Sequence, residues 1–297
     1  MLQTTIAKEV TNIGIGLHKG SAIKITFSPL DANSGVVFHR TDINKYYEAN
    51  YKNVINTKMA TVIGDNDGYI STIEHLMSAV SSYGIDNLLI SIDANEAPVL
   101  DGSAAGFCAM LDNAGIKQLD AKKQIIVVKK EVKVQAEDKF ASLSPTTAPS
   151  YEFSIDFKHP AIQKQNYTYI ANKQNFINEI ASARTFGFLK DVEYLKSIGL
   201  ALGGSLENAI VLDDNGILNP EGLRFSNEFV RHKILDAIGD LYMLGKATFA
   251  NYKAHASSHD LNHKLTLELL NNPNAYEVVT LDSDTNKDLL KAFTLNF

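Results

Sequence analysis

A histidine and two aspartates recur every four residues in the segment 229–240, as His232, Asp236 and Asp240. In an α-helix, residues four apart lie on one face, so these three side chains would form a polar stripe opposite an apolar arc. A His and an Asp at this spacing can bind one metal ion. The alternative is the solvated face of an amphipathic helix, and this segment taken alone favours that alternative.

A second segment, residues 71–75, places a carboxylate beside a histidine. Ser71 and Glu74 fit the S-x-x-E capping box, so Glu74 has a structural explanation, which this segment taken alone favours. In the functional alternative, His75 binds a metal from the first helical turn, where the helix dipole favours the neutral imidazole. Glu74 would then be a general base beside the attacking water, as in many zinc hydrolases.

Together, the two segments offer two histidines and one aspartate as metal ligands: His75, His232 and Asp236. Three ligands with one open position are typical of catalytic zinc, whereas structural zinc uses four protein ligands and more cysteine than the single one here. Zinc polarises a carbonyl and lowers the pKa of water to about 7. The combination therefore predicts amide or ester hydrolysis.

Three further histidines, His255, His259 and His263, are also spaced by four, so spacing alone cannot rank them as ligands. Ser257 and Ser258 favour a loop or a helix cap between them, so we expect the three not to share one face. One of them could act as general acid, with Asp240 orienting it. Two glycine-containing segments, 182–188 and 200–205, fit either packing or function, and the second lacks the ending of a phosphate-binding loop.

The elements that must position these residues follow a mixed α+β order. Strands are predicted at 22–28, 35–39, 61–63, 86–92, 124–128, 131–134 and 151–157, and helices at 72–83, from 101, at 175–183, 189–198, 229–241 and after 259. A polar stretch at 119–123 predicts a domain boundary near residue 122, which gives an N-terminal domain 1–122 and a C-terminal domain 123–297. Each half offers strands plus amphipathic helices, as a layered sandwich would.

Length, charge and cysteine content limit the class of protein. A chain of 297 residues can form two cores, and a net charge of -6 without a long Lys/Arg cluster argues against a general nucleic-acid binder. Cys108, the single cysteine, lies in an apolar run and is interpreted as packing in a reducing compartment. Neither a signal pattern nor an apolar run of about 20 residues occurs, so we expect a cytoplasmic protein that transiently approaches a membrane surface.

Several ordered segments resemble one family, the zinc-dependent UDP-3-O-acyl-N-acetylglucosamine deacetylases of lipid A biosynthesis, nearly from end to end. The segments are Gly14-Ile15-Gly16-Leu17-His18-Lys19-Gly20, Ser71-Thr72-Ile73-Glu74-His75-Leu76, Asp101-Gly102-Ser103-Ala104-Ala105, Ala183-Arg184-Thr185-Phe186-Gly187-Phe188, Leu202-Gly203-Gly204-Ser205, Gly222-Leu223-Arg224-Phe225 and His232 to Asp240. The resemblance implies two similar α+β domains, each a sheet with packed helices, in a β-α-α-β sandwich with the active site between them.

The resemblance also implies roles for individual residues. His75, His232 and Asp236 match the ligands of one zinc ion per chain, Glu74 the general base, and His259 the electrostatic or general-acid histidine, oriented by Asp240. Thr185 matches a hydroxyl that stabilises the oxyanion. The residues that match substrate contacts are Phe186 and Lys233 near the sugar and phosphates, and His18, Lys139 and Asp191 for the nucleotide sugar.

An inserted segment around 189–212 matches the hydrophobic passage for the acyl chain, with Val192, Ala201, Ser205 and Ala209 as its counterparts. The implied reaction removes the N-acetyl group of an acylated UDP-amino sugar and releases acetate, and the implied protein is a monomer. One departure is that Ala256, Ser257 and Ser258 precede His259, where the family usually has Lys-Ser-Gly.

Two other functions fit the residues less well. A metal phosphohydrolase also uses scattered His and Asp ligands, but a single open zinc site and an acyl passage argue against it. A nucleotide-sugar or lipid-binding module would leave the stripe solvated and Glu74 as a cap. Metal content separates the three: about one zinc per chain for the deacetylase, two metals for phosphoryl chemistry and none for the binding module.

Overall fold

The computed structural model describes residues 1–282 and 287–296. The helices are α1 (Glu74–Ser82), α2 (Ala105–Ala114), α3 (Lys173–Asn175), α4 (Leu189–Ser197), α5 (Glu228–Leu241), α6 (His259–Leu270) and α7 (Lys287–Asn296). Short 3-10 turns lie at Tyr51–Asn53 and Tyr242–Leu244. Within the described residues, no helix is long and apolar enough to span a membrane.

Two five-stranded sheets share one topology. The first has the order β2 (Val10–Ile15), β3 (Ala22–Pro29), β9 (Leu88–Ile92), β4 (Val36–Arg40), β5 (Lys45–Glu48), and the second has β12 (Val132–Ala136), β13 (Lys139–Ser144), β19 (Asn251–His255), β14 (Ser150–Phe157), β15 (Gln163–Ile170). In each sheet the last strand in sequence lies in the middle, antiparallel to the second strand and parallel to the third. The two domains of this α+β fold are therefore similar, as expected.

Smaller sheets complete the fold. They pair β1 (Leu2–Ile6) with β10 (Ile116–Lys122), β6 (Val54–Asn56) with β7 (Val62–Gly64) and β8 (Tyr69–Ile70), β11 (Gln124–Val128) with β18 (Thr248–Phe249) and β20 (Tyr276–Thr280), and β16 (Phe186–Phe188) with β17 (Ile210–Leu212). The division of strands between the two large sheets supports a boundary at residue 122, whose position stays a prediction.

Helices α1, α2, α5 and α6 lie between the large sheets. Helix α1 packs against α5, α2 packs against β2, α5 against β14 and β15, and α6 against β12 and β13. The order of layers is therefore sheet, helices, helices, sheet. Cys108 is buried in the core, as its apolar neighbours predict.

Two predicted elements differ from the structure. The polar stretch expected at 119–123 belongs to β10, a strand whose residues are exposed or half-buried and therefore lack the apolar alternation that identifies a strand in sequence. The helix expected at 175–183 is the short α3 followed by a π-helix at Phe176–Ile180. Asn172, three residues before the expected start, caps this segment by accepting a hydrogen bond from the backbone N–H of Asn175.

Candidate active site and metal centre

Glu74 and His75 form the first turn of α1, but not through a capping box. The residue at the N-cap is the apolar Ile73, and Thr72 before it has a left-handed backbone with φ of 59°. The carboxylate of Glu74 instead accepts a hydrogen bond at Oε2 from the backbone N–H of Thr61, at 3.0 Å. The capping interpretation of Glu74 is therefore wrong. A capping box would need the helix to begin directly after Ser71, but the left-handed residue Thr72 delays its first residue to Glu74.

The polar stripe of α5 is buried. His232, Asp236 and Asp240 are 2%, 4% and 3% exposed, so the solvated-face alternative is wrong. Helix α1 covers the stripe, and its backbone comes so close that a Cβ added at Gly239 would lie 2.0 Å from the carbonyl oxygen of Glu74. A glycine is required at this contact, because any larger residue would push the helices apart.

This helix contact brings His75 from one domain against His232 and Asp236 from the other. Nε2 of His75 lies 3.5 Å from Oδ1 of Asp236, Nε2 of His232 lies 3.4 Å from the same oxygen, and the three ligand atoms lie within 4.8 Å of one another. Oδ1 of Asp236 is buried and has no hydrogen-bond partner among the described residues. A buried acceptor without a partner is costly, so this oxygen fits a metal ion bound together with the two imidazoles.

The remaining polar atoms of His232 and Asp236 are held by the protein. Nδ1 of His232 donates to the carbonyl of Ala183 at 3.0 Å, which leaves Nε2 free to bind a metal. Burial lowers the pKa of His232 to about 3, so the ring is neutral. Oδ2 of Asp236 accepts a hydrogen bond from Nζ of Lys233 at 2.7 Å. Burial disfavours the ionised carboxylate, but the neighbouring imidazoles and the ammonium group of Lys233 outweigh it and hold the pKa of Asp236 well below its usual range.

Glu74 and His259 face each other beside this cluster, with Oε1 and Nε2 3.9 Å apart. Burial raises the pKa of Glu74, which makes its carboxylate a stronger base. Burial also disfavours the charged form of His259, but the carboxylates of Asp240 and Glu74 outweigh it and raise the pKa of His259 to about 10. The imidazole is therefore protonated at neutral pH.

Asp240 orients His259 and is itself held by three donors. Nδ1 of His259 lies 2.9 Å from Oδ2 of Asp240, Thr61 donates its hydroxyl to Oδ1 at 2.6 Å, and Asn262 donates its amide to Oδ2 at 2.8 Å. The amide oxygen of Asn262 in turn accepts from the hydroxyls of Tyr252 and Ser257. Ser257 and the cap residue Ser258, which accepts from the backbone N–H of Leu261, thus support the start of α6 at His259.

The sequence predictions missed part of this network. Asn262 lies three residues after His259 on α6, a spacing that could have identified it, whereas Thr61 lies in a loop without a distinguishing pattern. Of the three histidines spaced by four, His255 lies on β19, where its Nδ1 contacts Ser154. Among the described residues, only His259 of the three lines the cavity next to the cluster. The three therefore do not share one face, as expected.

Thr185 and Phe186 lie on the segment that leads from a buried arginine into β16. Arg184 is 1% exposed, and its Nε contacts Oε1 of Glu228 at 2.9 Å, at the first residue of α5. The backbone N–H of Thr185 donates to the carbonyl of Gly102 at 2.8 Å. Phe186 packs edge to face on Phe229 with ring centroids 4.9 Å apart. The segment is thus fixed to α5, the helix that carries His232 and Asp236.

A cavity of about 640 Å³ connects the cluster with the inserted segment. Of the predicted site residues, it is lined by Glu74, His75, His232, Asp236, His259, Thr185, Phe186, Lys233, His18, Val192, Ala201, Ser205 and Ala209. Asp240 lies behind His259. Lys139, exposed at the start of β13, and Asp191, exposed in the first turn of α4, do not line it.

Much of the rest of the cavity wall is apolar and was missed, because such residues look like ordinary core in a sequence. These residues include Leu17, Met59, Phe157, Leu189, Leu195, Leu206, Val211 and Leu218. An apolar cavity of this volume that ends at a few polar groups is typical of a small-molecule site. The geometry therefore joins a hydrolytic centre to a space suited to an apolar chain.

Comparison with known proteins agrees with this geometry. The family described as LpxC, UDP-3-O-acyl N-acetylglycosamine deacetylase, matches residues 3–271. The proteins named UDP-3-O-acyl-N-acetylglucosamine deacetylase from Campylobacter lari, Campylobacter fetus subsp. fetus and Campylobacter jejuni subsp. jejuni serotype O:2 are 62%, 59% and 58% identical to the chain. Each alignment covers 99% of this chain and 100% of the relative. The chain belongs to the UDP-3-O-acyl N-acetylglycosamine deacetylase family.

Proposed function

We propose that the chain hydrolyses the N-acetyl group of UDP-3-O-acyl-N-acetylglucosamine, a step of lipid A biosynthesis, with one zinc ion per chain held by His75, His232 and Asp236. The observation that carries the proposal is the unpartnered, buried Oδ1 of Asp236, which faces the Nε2 atoms of both histidines at 3.4 and 3.5 Å. Two imidazoles and one carboxylate are a donor set that suits catalytic zinc.

When bound, zinc polarises the amide carbonyl and makes water more acidic. The protein supplies the proton transfers. Oε1 of Glu74 remains available, since Oε2 is the atom bonded to Thr61, and it faces the space between the cluster and His259. Glu74 takes the proton of the attacking water, a role that its raised pKa favours.

Charge develops on the carbonyl oxygen as the water attacks, and two groups of the cavity wall can stabilise it. His259 is protonated because of the nearby carboxylates, and Thr185, which lines the same cavity, can offer its hydroxyl. Donors fixed in place before the reaction supply much of the rate enhancement of such enzymes. The departing amine must gain a proton, and both His259 and Glu74, once it has taken a proton, can supply it from this position.

The rest of the cavity supports the choice of substrate. Lys233 and Phe186 line it beside the cluster and would contact the sugar and phosphates. His18 also lines it and would contact the nucleotide sugar, while Val192, Ala201, Ser205 and Ala209 line it and would contact the acyl chain. Lys139 and Asp191 are proposed for the nucleotide, which would extend beyond the cavity.

We also propose that the protein works in the cytoplasm as a monomer, binds no nucleic acid and meets a membrane surface only transiently. The net charge of -6 supports the absence of nucleic-acid binding, and the free, buried thiol of Cys108 fits a reducing compartment.

The proposed function is tested by acetate release from the acylated UDP-sugar, measured as isolated, after chelation and after zinc is restored. We expect activity to disappear with the metal and to return with zinc, at about one ion per chain. Activity that persists after complete metal removal would contradict the zinc proposal. Two metal ions per chain would favour phosphoryl chemistry instead, and a chain without metal or turnover would favour a binding module.

A further inference from the structure

The loop 16–20 and the turn 201–205 both line the same cavity and contact each other directly. Leu17 and His18 line the cavity from the loop, and Ala201, Gly204 and Ser205 line it from the turn. The backbone N–H of Gly203 donates to the carbonyl of Leu17 at 3.0 Å, and that of Leu202 donates to the carbonyl of His18 at 3.1 Å. Two hydrogen bonds therefore connect the loop near the sugar site with the wall of the proposed acyl passage.

A buried carboxylate lies behind this contact. Glu96 is 2% exposed, its Oε2 accepts from the backbone N–H of His18 at 2.9 Å, and its Oε1 accepts from that of Lys19 at 3.0 Å. These are hydrogen bonds to an ionised acceptor, which are stronger than those between neutral groups. Glu96 thereby fixes the orientation of two consecutive peptide groups.

The same two peptide groups carry the bonds to the turn. In the Leu17–His18 peptide, the N–H points to Glu96 and the carbonyl to Gly203, and in the His18–Lys19 peptide, the N–H points to Glu96 and the carbonyl to Leu202. A negative charge at the N–H end of a peptide polarises it and makes its carbonyl a better acceptor. The carboxylate thus strengthens both bonds that hold the turn.

The turn depends on such bonds because it is weakly packed. Every residue of α4, which precedes it, is exposed or half-buried, and Leu202 is 51% exposed. The other hydrogen bonds of the turn are largely internal, such as that from the side-chain amide of Asn208 to the carbonyl of Gly203. Segments with little buried apolar surface open at low free-energy cost, so two bonds can decide where this wall lies.

We propose that Glu96 is a positioning residue for acyl-chain selection, which acts through the peptide groups of residues 17–19 to seat the 201–205 turn and so set the width of the passage. The inference rests on the proposed function, because it concerns the acyl chain of that substrate. Glu96 touches neither the reacting atoms nor the passage itself.

The test is Glu96→Gln, assayed on a UDP-N-acetylglucosamine with a long saturated 3-O-acyl chain and on UDP-N-acetylglucosamine without one. The amide keeps the size of the side chain but loses its charge and turns a donor toward one of the two N–H groups. We expect KM for the acylated substrate to rise about tenfold, since a charge-assisted hydrogen bond is lost. The kcat for that substrate should change by less than about threefold, and the efficiency on the non-acylated substrate should fall by less than that on the acylated one.

A second variant disturbs the contact between the loop and the turn from the side of the turn, and it leaves the buried carboxylate unchanged. A Cβ added at Gly203 would lie 2.2 Å from the carbonyl oxygen of Gly16, so Gly203→Ala must displace the turn, and we expect the same rise in KM. Gly216→Ala is the matched control, because a Cβ there meets no described atom within 4 Å.

The outcomes distinguish this inference from the proposed function. If the unaltered chain releases no acetate, the proposed function fails. If it is active but Glu96→Gln lowers kcat equally on both substrates, Glu96 acts on the catalytic centre and the inference is wrong. An unchanged ratio of efficiencies in both Glu96→Gln and Gly203→Ala would also overturn it.

Discussion

The cluster of His75, His232 and Asp236 and the wall of the proposed passage lie in one cavity but differ in how firmly their residues are packed. The cluster lies between α1 and α5, where His75, His232 and Asp236 are at most 5% exposed. A backbone carbonyl orients His232, and the side chain of Lys233 orients Asp236. The wall of the proposed passage consists of α4 and the turn 201–205, whose residues are mostly exposed or half-buried. A reaction centre needs fixed donors, whereas a site for a flexible chain needs only an apolar surface of suitable width. Substitutions in the two regions should therefore change different kinetic constants.

The largest effect is expected from removing a ligand in the rigid region. Asp236→Ala deletes the oxygen that both histidines face, so we expect metal content to fall to near zero and acetate release to fall to background. Metal analysis and the acetate assay measure both. Lys264→Ala, which removes an exposed ion pair with Asp260 on α6, is the control and should retain both. Full activity of Asp236→Ala would show that the cluster is not the reaction centre.

Glu74→Gln tests the same region without removing a ligand. We expect a loss of about 100- to 10,000-fold in kcat with metal content unchanged, because a general base is lost. The midpoint of thermal unfolding should not fall. Burial raises the pKa of Glu74, so its ionised form is less favourable in the folded chain than in the unfolded one, and a neutral side chain avoids this penalty. A variant that loses stability but keeps its activity would contradict the assignment.

Asp240→Asn should change the pH dependence of activity. The carboxylate of Asp240 raises the pKa of His259, so its removal lowers that pKa, and the high-pH limb of the kcat/KM profile should move to lower pH. We also expect kcat to fall about 10- to 100-fold, as is typical when an orienting partner is lost. A loss of rate without movement of the limb would mean that the protonation of His259 does not control the reaction.

The smallest effect is expected in the passage. Ala209→Leu fills part of the cavity, so KM for the acylated substrate should rise about tenfold, while kcat and metal content stay within about threefold of the original. Ala148→Leu, at a half-buried alanine outside the cavity, should leave KM unchanged. If Ala209→Leu lowered kcat and left KM unchanged, the contrast between the two regions would not hold.

Sequence reasoning predicted the residues of the rigid region better than their environment. Four-residue spacing identified His232, Asp236 and Asp240 as one face, but their burial depends on α1, which covers that face from another part of the chain. The capping pattern of Ser71 and Glu74 failed because one left-handed residue, Thr72, moved the start of the helix. Such a backbone choice at a β-branched residue goes against its local preference and is imposed by tertiary contacts.

The supporting residues were harder to predict for a different reason. Thr61 forms hydrogen bonds with residues that lie 13 and 179 positions away in the chain, and Glu96 with residues that lie 78 and 77 positions away. No periodic pattern in the sequence indicates such contacts. Most of the apolar cavity wall was missed because a residue that faces a cavity has the same type as one that faces the core. The family resemblance identified the passage residues Val192, Ala201, Ser205 and Ala209, which line the cavity but have no chemical signature of their own.

The contact at Gly239 has a consequence for the proposed metal site. Because His75 belongs to α1, while His232 and Asp236 belong to α5, the separation of the two helices sets the spacing between nitrogen and oxygen donors. A hydrogen atom in place of a methyl group keeps that separation at its minimum. Glycine at this position thus keeps the donors of the proposed metal site close together, and we expect a bulkier residue to move them apart without altering a single ligand.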